Sequence, residues 1–446
     1  MNSTRIKTAA YAGTVNNKQN SLLLKLTLIM AGGMFIDGFV LGYIGALMPF
    51  ITADLNLNPT WQGLIGSATL FGMFFGAPLG GWLADKFGRK PMFLIDLLIF
   101  LSCSIAQFFV TDAYTLFIVR ILMGIAIGIE YAVSWPLLAE FAPARLRGKL
   151  LGLTQVAWYL GYVVSYALGY LLSLHKLADW NVVLALGAIP TLIVLMFRWG
   201  APESPRWLMI KGRKAEAMAI AEKYLSKEDQ EDILKQKCEP AKNSAGFLDL
   251  FKSRNIKGTI FFTTFFFAGA APYYAIGFFI PTVLQKIGLK DGFMGGLFLN
   301  MMAVVGTIAT IMIVSKVKRR TLAVYPFLFS TIALGMIAFV SDPSDTLILM
   351  CFLAFAWFNS MIGAMTPVFP GESYAPEISG IGTGFSAAVS RLGAGAGVFL
   401  VPIIIDQYGV QLVMWIAAGI SLFATIICMK FTPNSDGKKL SEIFHH

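Results

Sequence analysis

Twelve long apolar runs, each near the length of a bilayer crossing, set what this chain can fold into. They fall at about 24–50, 61–84, 91–111, 114–139, 148–174, 181–199, 258–285, 292–316, 321–341, 345–369, 378–405 and 410–431. A helix needs about 20 apolar residues to cross a membrane, whereas the strands of a barrel alternate over short segments. These runs are continuous, so the spans are helices and the chain is an all-α polytopic membrane protein. Composition agrees: with 57% hydrophobic and 13% charged residues among 446, too little polar surface remains for a soluble protein of this size. The first run is longer than a signal-peptide core and contains Asp37, so it is a span. A net charge of +10 fits basic cytoplasmic loops beside a lipid bilayer, not nucleic acid.

The lysines and arginines give orientation. Lys86, Arg89 and Lys90, then Arg145, Arg147 and Lys149, then Lys316, Lys318, Arg319 and Arg320 fall in connections on one side; the other side holds mostly aspartates. The positive-inside rule therefore places both termini in the cytoplasm of a multi-pass inner or plasma membrane protein. The longest polar interval separates spans six and seven and divides the chain into two six-helix, pseudo-symmetric halves, as in a two-repeat transporter. The expected organisation is a disordered cytoplasmic tail at 1–20, a first half at 21–199 and a cytoplasmic linker with short helices at 200–257. A second half follows at 258–431 and a tail at 432–446, where His445 and His446 read as the stub of a purification tag.

Among the four cysteines, Cys103, Cys351 and Cys428 lie in apolar runs and Cys238 in a polar stretch, so neither a disulfide framework nor a metal site is implied. No phosphate-binding loop, nucleophile–base constellation or clustered metal ligands stand out, so the chain reads as no enzyme and no cofactor is expected. With His175 the only internal histidine, proton chemistry falls to carboxylates.

Three stretches carry a resemblance. Gly81-Trp-Leu-Ala-Asp85-Lys-Phe-Gly88-Arg89-Lys90 resembles the signature loop of the major facilitator superfamily. Pro136-Leu-Leu-Ala-Glu140-Phe-Ala-Pro143-Ala-Arg-Leu-Arg147-Gly148 and Pro202-Glu-Ser-Pro-Arg206-Trp-Leu208 resemble motifs of its sugar-porter and organic-ion-transporter branches. In register with twelve spans, the resemblance covers essentially the whole chain and implies the major facilitator fold. Gly81 and Gly88 are expected to permit tight turns and close helix approach. Asp85 is expected to accept hydrogen bonds from a neighbouring helix end, while Arg89 and Arg147 meet Glu140 or Glu203. With Arg206 and Glu372, these groups would latch the halves on the cytoplasmic side, or serve only as positive-inside anchors. Glu372 follows span ten much as Glu140 ends span four. The loop after span eight lacks the glycines and aspartate, so the latch should be weaker in the second half.

Charges inside the spans need partners or tasks, because each costs roughly 2.5–3.5 kcal/mol or more at membrane depth. Asp37 in span one and Arg120 in span four match the coupling pair of proton-coupled sugar porters, which implies an ion pair broken by protonation of Asp37; a fixed structural pair is the plainer alternative. Glu130 lies about 15 Å further along the same helix. Within Gly128-Ile-Glu130-Tyr131 it resembles the acid of proton-phosphate symporters, and is a second proton site, a substrate contact or the partner of an unseen donor. Asp96 reads as packing near the cytoplasmic face. Arg391 in span eleven resembles the cavity arginine with which organic-ion transporters meet a substrate carboxylate, and a guanidinium among small residues suits bidentate binding.

Mid-depth polar and aromatic residues complete the expected cavity: Gln155, Trp158 and Tyr162; Tyr273 and Tyr274; Asn300; Trp357 and Asn359. Such a lining suits a small organic molecule with an apolar face. Span seven lacks the amides that sugar porters usually carry there. The chain therefore reads as a proton-coupled symporter of a small organic acid, an aromatic or other monocarboxylate, working as a monomer. A sugar, polyol or organic-cation carrier and a drug:proton antiporter are the alternatives.

Overall fold

A computed structural model describes residues 17–142, 144–225, 230, 247–287, 291–314, 316–340, 344–369, 374 and 378–433. Twelve helices in it are long and apolar enough to cross a membrane. In order they are Asn17–Leu55, Pro59–Phe87, Arg89–Phe108, Ala113–Phe141, Ala144–Leu174 and, as span six, Trp180–Ala185 continued by Ala188–Arg198. The second half comprises Ile256–Gly277 with Ile280–Ile287, Gly292–Ile313, Arg319–Phe339, Asp345–Met365, Ser379–Tyr408 and Val410–Phe431. Span seven, expected as one run, breaks after Gly277, about one and a half turns beyond Pro272, whose ring removes one N–H from the helical ladder. The helices of the linker are Pro205–Ile210 and Lys214–Tyr224, with a 3-10 turn at Phe247–Phe251. Residues 1–16 and 434–446 of the expected tails and most of the linker's centre lie outside the described residues, while residues 17–20, expected in the disordered tail, begin the first helix.

The helices begin where short polar side chains can take their first free N–H groups. Asn58 accepts from Trp61 N at 2.9 Å, Asp112 from Thr115 N at 2.9 Å and Asp291 from Met294 N at 3.0 Å. All three lie on the face opposite the termini. On the termini face, Ser204 accepts from Trp207 N at 3.1 Å.

Within the first half, spans one and five pack closely, as do spans two and four. Glycines allow this: a Cβ on Gly124 would strike the Thr69 backbone, and one on Gly128 the backbone of Gly76. The two halves meet through spans two and eleven and through spans five and eight. Much of this contact lies away from the termini. Gly63 sits against the Phe399 backbone, the Phe50 and Phe293 rings are 5.9 Å apart, and Tyr170 stacks on Phe293 at 4.8 Å. The Tyr166 hydroxyl donates to the Phe293 carbonyl at 3.4 Å.

Candidate functional site

A cavity with about 530 Å³ of empty space, its open mouth included, lies between the halves. Spans four, five, seven, ten and eleven wall it, and its lining includes the expected Gln155, Trp158, Tyr273, Tyr274, Asn359 and Arg391. Trp135 and Thr366 extend it towards the termini face, one turn beyond Tyr131 and Ile362. Arg391 is 7% exposed and sits in an aromatic box, its guanidinium carbon 5.4 Å from the Tyr131 ring, 5.5 Å from Tyr274 and 5.6 Å from Phe266. Among the described residues no carboxylate forms an ion pair with it. Trp158 Nε1 and the Tyr273 hydroxyl are buried without hydrogen-bond partners. The Asn359 amide nitrogen donates to the Gly269 carbonyl at 3.0 Å, which fixes the direction of its oxygen.

Three expected lining residues stand elsewhere. Tyr162 packs behind the wall, its ring 5.6 Å from Trp158, with its hydroxyl unpartnered. The Asn300 amide turns back to the Gly296 carbonyl of its own helix at 2.8 Å, and Trp357 does not line the cavity. Span four supplies Tyr131 and Trp135 instead, stacked at 5.1 Å and 7°. Their i, i+4 spacing beside Glu130 was the available signal for this shared face.

The charged residues group differently from expectation. Asp37 and Arg120 do not pair: both are wholly buried, and neither carboxylate oxygen and none of the three guanidinium nitrogens has a hydrogen-bond partner. The Tyr43 hydroxyl stands beside Arg120. Tyr43 lies six residues beyond Asp37 on span one, so the arginine sits about 9 Å too far along the bundle to meet the acid. The charges that act on Asp37 are Glu130, Arg198 and Arg391.

Glu130 has a partner in Arg198, a residue that periodicity did not single out. Arg198 donates from both terminal nitrogens, at 2.5 Å to Oε1 and 2.6 Å to Oε2, while the Ser134 hydroxyl donates to Oε1 at 2.5 Å. Asp96 completes the cluster at 3.2 Å from Arg198. It is fully buried, so it belongs to this ionic centre and not to packing near the membrane surface. Phe93 covers the guanidinium face at 3.7 Å, and its carbonyl accepts from Arg198 at 3.1 Å. A Cβ at Gly33 would collide with Arg198 and Glu130, so span one must present bare backbone there. With Glu130 taken by Arg198, it offers no free carboxylate to an organic cation.

On the termini face, the contacts of the expected latch among the described residues form within the first half. Arg89 reaches Glu140 at 3.5 Å, and the Ser204 hydroxyl also donates to Glu140. Glu203, not Asp85, caps span three, accepting from the backbone of Arg89 at 2.9 Å and Lys90 at 3.1 Å. Backbone N–H groups at a helix start favour that negative charge. Asp85 is exposed, and its carbonyl accepts from Trp207 Nε1 at 3.0 Å. Gly88 has φ +106°, and a Cβ there would lie 2.5 Å from Glu203, so glycine is required on both counts. Gly81 faces open space and makes no close approach. Arg206 stands near Glu140, whereas the Arg147 side chain and Glu372 lie outside the described residues. In the second half, Arg319 and Arg320 bind the carbonyls of Val314 at 2.7 Å and Met429 at 2.6 Å.

Comparison with known proteins places this architecture. Residues 25–445 match the family described as sugar (and other) transporter. The inner membrane metabolite transport protein YgcS of Escherichia coli (strain K12) is 33% identical over 93% of this chain and 92% of its own length. The glucose transporter GlcP of Staphylococcus epidermidis is 27% identical over 96% and 97%. Among solved structures, the proton:xylose symporter XylE of E. coli, bound to 6-bromo-6-deoxy-D-glucose, superimposes with a TM-score of 0.81 at 22% identity, covering 95% of this chain and 99% of that one. Twelve spans in two halves around a central cavity, the signature loops and a family match over nearly the full length lead to one conclusion: the chain belongs to the sugar (and other) transporter family and has the major facilitator fold.

Proposed function

We propose that this transporter carries a small organic acid, an aromatic or other monocarboxylate, together with protons by alternating access. The observation that carries the reading is Arg391, a guanidinium in an aromatic box with no carboxylate paired to it among the described residues. A substrate carboxylate fits that vacancy, and an aromatic or apolar body fits the walls made by Trp158 and Tyr274. The termini lie in the cytoplasm by charge bias. A cavity reaching towards the termini, with the halves in contact on the other side, then corresponds to a cytoplasm-facing state. Substrate release to that side would follow loss of the carboxylate–Arg391 contact, and the return swing would part the contacts of span two with span eleven and of span five with span eight on the opposite face.

A second reading, a neutral sugar or polyol, is favoured by the named activities of GlcP and XylE and by the unpartnered Trp158 and Tyr273 donors. Thermal unfolding of the purified protein with benzoate or with D-xylose separates them. The acid reading expects stabilisation by benzoate that Arg391→Gln abolishes. D-xylose stabilisation that survives Arg391→Gln, with none from benzoate or other monocarboxylates, would overturn it. Proteoliposome uptake with and without an imposed pH gradient then tests proton coupling.

A further inference from the structure

The Arg198 centre holds more acid than its cation can neutralise. Glu130 takes both terminal nitrogens of Arg198 in a bidentate pair, and the bond from Ser134 adds to its partners. Asp96 reaches the same Nη1 at 3.2 and 3.4 Å, and its Oδ1 accepts from Leu97 N at 2.6 Å. Both acids are at most 1% exposed, so water does not screen them. The groups facing the centre come from every element around it: Asp37 from span one, Asp96 from span three, Glu130 and Ser134 from span four and Arg198 from span six. Arg391 of span eleven acts on Asp37 from the cavity side.

Two ionised carboxylates on one buried guanidinium leave a net negative charge in a medium that solvates none. One proton removes it. Both carboxylates crowd one donor, the Arg198 Nη1, Glu130 at 2.6 Å and Asp96 at 3.2 Å. Ionised carboxylates are acceptors only, so neither can donate to the other unless one of them carries hydrogen.

We propose that Asp96 and Glu130 share a single proton across Arg198, and that this cluster, not an Asp37–Arg120 pair, is where the transporter loads its coupled proton. The second clause rests on the proton-coupled reading above; the first does not. Loading moves one proton from solution onto a carboxylate oxygen and leaves the Arg198–Glu130 pair neutral. Unloading returns the charge, which Asp37, one helical turn along span one from Gly33, feels directly. Asp37 feels both this charge and Arg391, so occupancy of the proton site alters the field at the cavity cation. A loaded cluster leaves Arg391 the more attractive to an incoming carboxylate, the sign that symport requires.

Infrared spectroscopy of the full chain in lipid nanodiscs tests the shared proton without any substrate. A protonated carboxyl group gives an acid carbonyl band, which shifts in deuterium oxide. The expected result is a component of such a band at neutral pH that is kept in Asp37→Asn, which removes the other buried carboxyl, and lost in both Asp96→Asn and Glu130→Gln. Absence of any such band from the unmodified protein, or a band that survives unchanged in both amide variants, overturns the proposal. The first of these outcomes is read on unmodified protein, so the test stands even where an amide variant fails to fold. Proteoliposome uptake of benzoate and of D-xylose then tests loading. Asp96→Asn should lose gradient-driven accumulation of the transported probe while its exchange across the membrane persists. Accumulation that survives in Asp96→Asn overturns the loading role. Transport in the unmodified protein that ignores the pH gradient, with the carbonyl band present, removes the coupled reading alone.

Discussion

Arg120 and Arg198 are both wholly buried arginines in the same half of the bundle, and their surroundings are opposite. Arg198 has two carboxylates, a carbonyl and a ring face; among the described residues Arg120 meets no carboxylate, and the Tyr43 hydroxyl stands beside it. One site has a surplus of acid, the other a surplus of base. A surplus of acid is corrected by taking up a proton. A buried arginine cannot readily lose one, so its surplus is corrected by movement of a carboxylate. The two arginines therefore mark different devices: a proton site complete in this conformation, and a site whose partner arrives in another. On the proton-coupled reading proposed above, Asp37, unpartnered about 9 Å from the Tyr43 level, would be that partner once span one shifts along span four.

The largest effect should follow from removing the better-satisfied arginine. Arg198→Met leaves Glu130 and Asp96 buried without their cation, and breaking a buried pair costs about 3–5 kcal/mol. A sharp fall in the thermal midpoint and in yield is expected. Arg198→Lys should recover part of it, because it restores the charge but not the bidentate geometry. Equal midpoints for Arg198→Met and the unmodified protein would erase the contrast.

Arg120→Met should act in the other direction. The unsatisfied guanidinium penalises this conformation, and relief of such a buried polar group is worth about 2–3 kcal/mol. The thermal midpoint should hold or rise, while transport falls because Asp37 loses its partner in the alternate state. A midpoint that drops as far as that of Arg198→Met would mean that Arg120 is already satisfied.

What was legible in the chain follows from the same physics. The twelve spans are visible because crossing lipid demands long apolar runs, and that demand is local in sequence. Trp158, Tyr273, Tyr274, Asn359 and Arg391 share a cavity because mid-depth polar and aromatic residues have few other uses. The Glu130–Arg198 pair was invisible: its members are 68 positions apart, and an arginine ending an apolar run reads as an interfacial anchor. Partner choice depends on helix rotation and stagger, which apolar periodicity constrains too loosely to match one charge with another. Asp37 and Arg120 show the same limit, since they lie in adjacent elements at different levels.

Gly88 offers a smaller test on the acidic side of the comparison. It precedes the helix that carries Asp96, and its φ of +106° belongs to a region that residues with a Cβ avoid. Gly88→Ala should cost about 1–3 kcal/mol. It should also displace Glu203 from the Arg89 and Lys90 amides and so loosen the first turn of span three. Hydrogen exchange should quicken at the start of that helix and leave the Arg120 region unchanged. Uniform protection in the variant would show that the cap does not hold the Asp96 helix in place.

The smallest effect belongs to the other end of span four, the helix that carries both Arg120 and Glu130. Asp112 caps its start, two turns from Arg120, and accepts from Thr115 through the backbone at 2.9 Å and the hydroxyl at 2.6 Å. Those bonds hold the exposed Asp112 carboxyl below its ordinary range. A carboxyl depressed in the folded state lends stability above its unfolded pKa, and that contribution is lost as pH falls through the folded value. Amides 113–119 should therefore lose protection in acid, after correction for the intrinsic exchange rate, while those around Glu130 and Ser134 keep theirs. In Asp112→Ala the first turn should be less protected at neutral pH and show no further loss on acidification. If the Glu130 region loosened along with it, span four would be one cooperative unit, and the two buried arginines could not be set independently.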